Sequence, residues 1–121
     1  GAIESDNGVG RPFGMRASVP AASTRLFAPL QAALLPIGAA VFQRQDALST
    51  GDLSGLERAG VPSFAPLVDT SAYFDYHHTA ADTLDKVDPD NLRRNVAVMT
   101  ATAWFLANVE EPIGRANVPA K

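Results

Sequence analysis

The apolar residues of this chain fall into short runs that are separated by turn residues. Three of the runs, residues 2–4, 39–43 and 61–68, predict strands because they are short and bounded by Gly, Asn, Asp or Ser. The third run contains two prolines, which cannot donate to a sheet ladder, so we expect it at a sheet edge or irregular. Residues 5–14 predict a turn followed by a Gly/Pro-rich loop.

A first helix is predicted where leucines recur every four residues: Leu26, Leu30 and Leu34. Ser23 precedes them as a plausible N-cap, and the helix should end before Pro36 and Gly38. Pro29 lies inside this stretch, where a proline removes a backbone donor and clashes with the preceding turn. A kink or a late helix start is therefore expected.

A short second helix is predicted over residues 53–59, after a turn formed by Ser49-Thr50-Gly51. Asp52 is its expected N-cap, and Gly60 stands in the C′ position that favours glycine.

The last helix has the clearest boundaries, with Asp88 as N-cap, Pro89 at N1 and an end near Asn108. Its expected inward face consists of apolar residues at spacings of three and four: Leu92, Val96, Met99, Ala103 and Leu106. Arg93 and Arg94 should then point outward. Residues 110–121 predict a flexible C-terminal tail, so residues 1–109 form the predicted domain.

The alternation of strands and helices predicts an α/β domain, in which functional sites collect in the loops after the strands. Two such loops carry candidate groups. Glu4-Ser5-Asp6 follows the first strand, and a segment with both histidines of the chain, His77 and His78, follows the third.

Composition excludes several functional classes. The chain has 121 residues, of which 46% are hydrophobic, enough for one domain with a core. Ten basic and 13 acidic residues give a net charge of −3 without charged runs, which argues against a nucleic-acid partner. The absence of cysteine excludes thiolate zinc sites. No apolar run reaches the length of a membrane span, and no signal peptide is evident, which suggests a fragment of a longer protein.

Each candidate group could have a purely structural role instead of a functional one. Asp6 suits a simple Asx turn, the two histidines suit a solvent-facing loop, and Asp82 suits a capping residue. The same groups also suit a zinc site, because a neutral imidazole binds zinc through one nitrogen while a carboxylate holds the other N–H. Asp75 and Asp82 are both candidates for that orienting role.

The motifs around these residues resemble one known family. The segments IESDNG from Ile3, GDL from Gly51, AGVP from Ala59 and YFDYHHTAADTLDKVDP from Tyr73, with a closing helix that contains Trp104, are similar to the C-terminal part of M28-family zinc peptidases. The plasma glutamate carboxypeptidase-like branch is the most similar. The fold that this implies is the C-terminal part of a three-layer α/β/α zinc exopeptidase.

The resemblance implies roles for individual residues. Asp6 and His78 would each bind one of two zinc ions. Asp82 would orient a zinc ligand by accepting a hydrogen bond from it. Asp52 and His77 would belong to loops near the substrate. In such sites two ions about 3.5–4 Å apart position a bridging water. The implied activity is removal of N-terminal residues from peptides or hydrolysis of dipeptides.

The resemblance also shows what this chain lacks. The family's remaining ligands and its general-base glutamate lie upstream of the Glu-Ser-Asp motif, so no catalytic residue is expected in this chain and it should be inactive alone. The N-terminal portion of the same protein would be its partner. Two alternatives stay open: a non-catalytic interaction module with the peptidase fold, and a glutaminyl cyclase-like acyl transferase with a single zinc. An extracytoplasmic location rests on the resemblance only.

Overall fold

A mixed four-stranded sheet forms the centre of the computed structural model, which describes residues 1–48 and 51–116. The strands are β1 (Ala2–Ile3), β2 (Pro12–Ser18), β3 (Val41–Gln45) and β4 (Ser63–Val68), and their order in the sheet is β1-β4-β2-β3. β1 runs parallel to β4 and β3 runs parallel to β2, whereas β2 and β4 are antiparallel. The predicted α/β class is confirmed.

Four α-helices accompany the sheet in the described part of the chain: α1 (Ala28–Leu34), α2 (Ser54–Arg58), α3 (Tyr73–Tyr76) and α4 (Pro89–Asn108). Short 3₁₀ segments flank α1 at Ala21–Phe27 and Leu35–Ile37, and another lies at Leu84–Lys86. α1 and α4 pack against each other, and α4 also contacts β2 and β4. None of the helices in the described ranges is long and apolar enough to cross a membrane.

The core lies between the sheet and α1 with α4, and an aromatic cluster fills it. The ring of Phe27 stacks on Phe42 at 4.4 Å between centroids and makes tilted contacts with Phe64 at 5.6 Å and Phe105 at 5.2 Å. Phe27 and Phe64 are fully buried. Since such rings bury large apolar areas, this cluster fixes the helices on the sheet.

β2 is an internal strand that the sequence pattern did not predict. Pro12, Gly14 and Arg16 interrupt its apolar residues, so the segment reads as a loop. Gly14 is required there, because a Cβ would overlap the carbonyl group of Val41 on the neighbouring strand. β3 also begins two residues later than predicted.

Of the two predictions for residues 61–68, the edge position is wrong, because β4 lies between β1 and β2. The alternative, an irregular strand, agrees with the register shift in the pairing with β2 between Pro12 and Gly14. Pro66 is accommodated since the pairing with β1 ends at Phe64, so no β1 donor or acceptor faces the proline. Pro62 precedes the strand.

The helices begin with fewer side-chain caps than predicted. The late start of α1 is confirmed: Ser23 lies in the preceding 3₁₀ segment and donates its hydroxyl hydrogen to the carbonyl of Ile113 instead of capping. Asp52 does not cap α2, whose N-cap is Leu53. Gly60 has a left-handed φ of 77° after α2, as a C′ glycine should. The predicted turn at Ser49-Thr50 lies outside the described residues.

The boundaries of α4 are confirmed, and Asp88 accepts a hydrogen bond from the backbone N–H of Asn91 at 2.7 Å. Its predicted inward face is only partly right: Met99 and Leu106 are half-buried, whereas Leu92, Val96 and Ala103 are exposed. The helix buries Asn95, Val98 and Thr102, while Val96 is 56% exposed. Asn95 is buried because its side-chain amide donates to the carbonyls of Gly10 and Asn91.

The described part of the tail makes contacts with the domain. Arg25 forms a two-pronged ion pair with Glu111, the backbone N–H of Ala116 donates to Gly60 O at 3.0 Å, and Ala116 is buried. The flexibility predicted for residues 110–121 stays a prediction, since residues 117–121 lie outside the described part.

Candidate functional site

The two loops that carry the candidate groups leave the same edge of the sheet. β1 and β4 are neighbours and parallel, with Ala2 opposite Ser63 and Ile3 opposite Phe64. The chain after β1 leads to Asp6, and the chain after β4 leads through α3 to His77 and His78. Because carboxyl ends of parallel strands meet at one edge, the fold brings these sequence-distant loops together.

Tyr73 connects the two loops directly. Its hydroxyl donates a hydrogen bond to the backbone carbonyl of Asp6 at 3.2 Å. Gly8, with a left-handed φ of 74°, lies beside the Tyr73 ring, where a larger residue would meet both steric and backbone strain. The position of Asp6 is therefore tied to the start of α3.

The rings of three residues form a continuous stack at the end of α3. Tyr73 stacks on His77 at 4.5 Å, and His77 stacks on His78 at 3.8 Å between ring centroids. Within residues 1–48 and 51–116, His78 is the only residue other than glycine with a positive φ, at 57°. Such backbone conformations concentrate at functional sites, where the surrounding structure holds them in place.

The turn that precedes α2 approaches Asp6 from another side. The backbone N–H of Asp52 donates to Glu4 Oε1 at 3.3 Å, and a Cβ placed on Gly51 would lie 3.9 Å from Asp6 Oδ2. Asp52 thus lies next to the loop of Asp6, although it has no capping role.

A cavity of about 340 Å³ opens beside the stack. Its lining includes His77, Asp82, Tyr76 and Lys86. Asp82 therefore borders the same space as His77. Its backbone N–H donates a hydrogen bond to Thr79 O. The structure brings Asp82 near the loop of His78 without joining its carboxylate to either imidazole.

Two acidic residues in these loops have lowered pKa values: Asp69, which lines the cavity, and Asp85, whose neighbour Lys86 lines it. The pKa of Asp69, directly after β4, is below its ordinary value because the backbone N–H and side chain of Ser71 bond its carboxylate. The pKa of Asp85 is lowered by hydrogen bonds from Lys86 and Thr83. Both carboxylates already accept hydrogen bonds from neighbouring residues, and these bonds stabilise the conformation of their loops.

The donor set fits part of a zinc site. Asp6 and His78 are exposed and offer a carboxylate and an imidazole, which are both zinc ligands. No group of three or more His, Asp or Glu side chains in the described ranges could hold a metal ion by itself. The remaining ligands of any such site must therefore come from elsewhere.

Tyr73 and Glu4 are the residues that the sequence reasoning missed. Both lie inside the quoted motifs, Tyr73 four residues before His77 and Glu4 two before Asp6. Their contacts cross between loops, so no local pattern predicts them.

Comparisons with known proteins identify a matching family. The sequence profile of Peptidase family M28 matches residues 5–103. Carboxypeptidase Q from Xenopus laevis is 29% identical over 113 residues, and Carboxypeptidase Q from Homo sapiens is 28% identical over 116 residues; each match covers 93% of this chain. The crystal structure of a Peptidase M28 precursor from Shewanella amazonensis SB2B superposes with a TM-score of 0.82 at 36% identity, over 98% of this chain.

These similar proteins are much longer than this chain. The matches cover 24% of both Carboxypeptidase Q sequences and 27% of the Shewanella protein. The chain thus spans about a quarter of the relatives that it matches.

Proposed function

Because this chain belongs to peptidase family M28, we propose that it forms part of a zinc-dependent exopeptidase that removes N-terminal residues from peptides or hydrolyses dipeptides. Asp6 and His78 are the proposed ligands, one for each of two zinc ions. The observation that carries the proposal is the parallel pairing of β1 and β4, which directs the loops of both residues to one sheet edge.

The geometry of His78 supports its role as a ligand. Its left-handed backbone holds the imidazole on the loop that Tyr73 ties to Asp6. A ligand needs such a fixed orientation, because zinc binding falls when a side chain must be ordered at the moment of binding.

Bound zinc would polarise the scissile carbonyl and lower the pKa of water for attack. Asp6 would contribute a negative charge to this site, and His78 would bind as a neutral imidazole with its second nitrogen free to donate. Asp82 is the proposed acceptor for that N–H, since it borders the space beside the stack. His77 and Asp52 are proposed to face the substrate from opposite loops.

Hydrolysis also needs a general base, and we propose that this glutamate lies outside the present chain. In the described part, Glu57 is buried and bonded to the backbone N–H of Leu48, Glu110 and Glu111 follow α4, and Glu4 accepts the backbone N–H of Asp52. This chain alone is therefore expected to be inactive. The N-terminal portion of the same protein is its proposed partner, and an extracytoplasmic location remains a prediction.

The test is zinc stoichiometry of the full-length protein by elemental analysis, with a His78→Asn variant and a His77→Asn control. Asparagine suits the left-handed backbone at position 78, so the variant removes the ligand with little strain. We expect two zinc ions per chain, falling to one in His78→Asn and unchanged in His77→Asn.

Other outcomes would favour different functions. Absence of zinc in the unsubstituted protein would contradict the proposal and support a non-catalytic interaction module. A single zinc with acyl-transfer activity would support the glutaminyl cyclase-like alternative. Loss of zinc in His77→Asn but not in His78→Asn would reverse the assignment of the two histidines.

A further inference from the structure

Glu4 occupies an unusual position between the elements of the proposed site. It follows β1 and continues its ladder, since its backbone N–H donates to Phe64 O at 3.0 Å. The side chain is half-buried and lies two residues before Asp6. Its backbone is therefore held by the sheet while its carboxylate is available to neighbouring loops.

The two carboxylate oxygens of Glu4 have different surroundings. Oε1 accepts the backbone N–H of Asp52 at 3.3 Å, a contact between segments 48 positions apart. Oε2 is buried and has no hydrogen-bond partner within residues 1–48 and 51–116. Because a buried carboxyl oxygen without a donor is unfavourable, a glutamate here needs a compensating role, and the hydrogen bond that Oε1 accepts from Asp52 provides one.

The contact with Asp52 determines where the turn before α2 lies. Gly51 is adjacent to Asp6 Oδ2, so the same turn borders the proposed ligand. Displacing the turn from Glu4 would also displace it from Asp6. Glu4 is thus the side chain that joins the ligand loop to the loop proposed to face substrate.

We infer that Glu4 is a positioning residue, whose carboxylate holds the Gly51-Asp52 turn beside Asp6. This inference rests on the proposed function for its effect on substrate, although the contact itself does not depend on it. Glu4 is not a metal ligand in this inference. Its loss should therefore release the turn without releasing zinc.

The experiment compares Glu4→Asp, Glu4→Gln and Glu4→Ala in the full-length protein. Aspartate keeps a carboxylate on a side chain that is one methylene shorter, whereas glutamine keeps both the side-chain length and the Oε1 acceptor. Asp46→Ala is the control, because Asp46 is an exposed carboxylate that pairs with Arg44 on the surface. Zinc content, amide hydrogen exchange of the peptide containing Asp52, and kinetic constants with a dipeptide substrate are measured for each.

In Glu4→Asp and Glu4→Ala we expect unchanged zinc, faster exchange at Asp52, and a KM raised about ten-fold with a smaller change in kcat, as for loss of one hydrogen bond to a charged group. Glu4→Gln and Asp46→Ala should remain close to the unsubstituted protein. If Glu4→Ala does not fold, Glu4→Asp decides the question.

Three results would overturn the inference: unchanged exchange at Asp52 in Glu4→Asp, loss of zinc in that variant, or equal effects of Gln and Asp. A full-length protein without zinc or hydrolytic activity would instead contradict the proposed function. The exchange at Asp52 in Glu4→Asp would still test the positioning role in that case.

Discussion

The hydroxyl of Tyr73 donates a hydrogen bond to the backbone carbonyl of Asp6 across 3.2 Å. This contact joins the loop after β1 to the start of α3, and the Tyr73 ring continues into the stack with His77 and His78. One side chain thus links the positions of both proposed zinc ligands.

Replacement of Tyr73 by Phe should weaken zinc binding without disturbing the stack. The substitution removes the hydroxyl only, at a cost of about 1 kcal/mol, or roughly five-fold in affinity. Competition with a chelator measures this in the full-length protein. Tyr76→Phe is the control, because the Tyr76 ring faces Lys86 rather than Asp6. Equal weakening in both variants would contradict the linking role of Tyr73.

Two valines on α4 provide a direct test of its buried face. Val98 is fully buried and Val96 is 56% exposed, although they lie on the same helix. Val98→Ala should lower the free energy of unfolding by about 2 kcal/mol. Val96→Ala should change it by less than about 0.5 kcal/mol. Urea unfolding of the full-length protein measures both, and a larger effect at Val96 would restore the face predicted from the sequence.

Gly14 should tolerate no side chain. A Cβ at this position would overlap the backbone carbonyl of Val41, and backbone atoms in a sheet cannot move aside. We expect Gly14→Ala to destabilise the protein by about 3 kcal/mol. The control, Gly55→Ala, lies in α2 with open space around it and should stabilise by up to about 1 kcal/mol. Chemical unfolding compares them, and a neutral Gly14→Ala would contradict the close approach of β2 and β3.

Acid should release the tail from the domain. Hydrogen bonds from Arg25 lower the pKa of Glu111 below its ordinary value. A lowered folded-state pKa means that the stabilising effect is complete above the unfolded pKa and is lost as pH falls through the folded pKa. The amide N–H of Ala116 donates to Gly60 O, and its NMR signal should therefore shift as the pH falls below the ordinary carboxyl range.

Arg25→Gln provides the control for the tail. The variant lacks the guanidinium, so the pH at which the Ala116 signal shifts should move up toward the ordinary carboxyl range. An identical profile in both proteins would show that Glu111 does not control the attachment of the tail.

Local signals predicted part of the fold well. Asp88 and Pro89 mark the start of α4 because capping chemistry acts within a few residues. The buried face of the same helix was predicted only in part, since apolar residues occur on both sides and Asn95 is buried through a bond to the carbonyl of Gly10, which is distant in sequence. β2 was missed because Gly14 weakens its pattern, although the close approach of Val41 demands that glycine.

The site was predictable only as separate pieces. Its motifs indicated Asp6 and His78, but their proximity depends on the pairing of Ala2 with Ser63, which no local pattern encodes. The contacts of Tyr73 with Asp6 and of Glu4 with Asp52 depend on the same pairing. Residues whose side chains connect two loops could therefore be identified only from the structure.

The pairing of β1 with β4 also has a consequence for folding order. In the described part of the chain, β1 pairs only with β4, whereas β2 and β3 join segments much closer in sequence. Loop closure costs more entropy for distant segments, so contacts of this kind form late. During synthesis, Asp6 leaves the ribosome long before β4 exists. The loops of Asp6 and His78 can therefore meet only after β4 has been synthesised and has paired with β1.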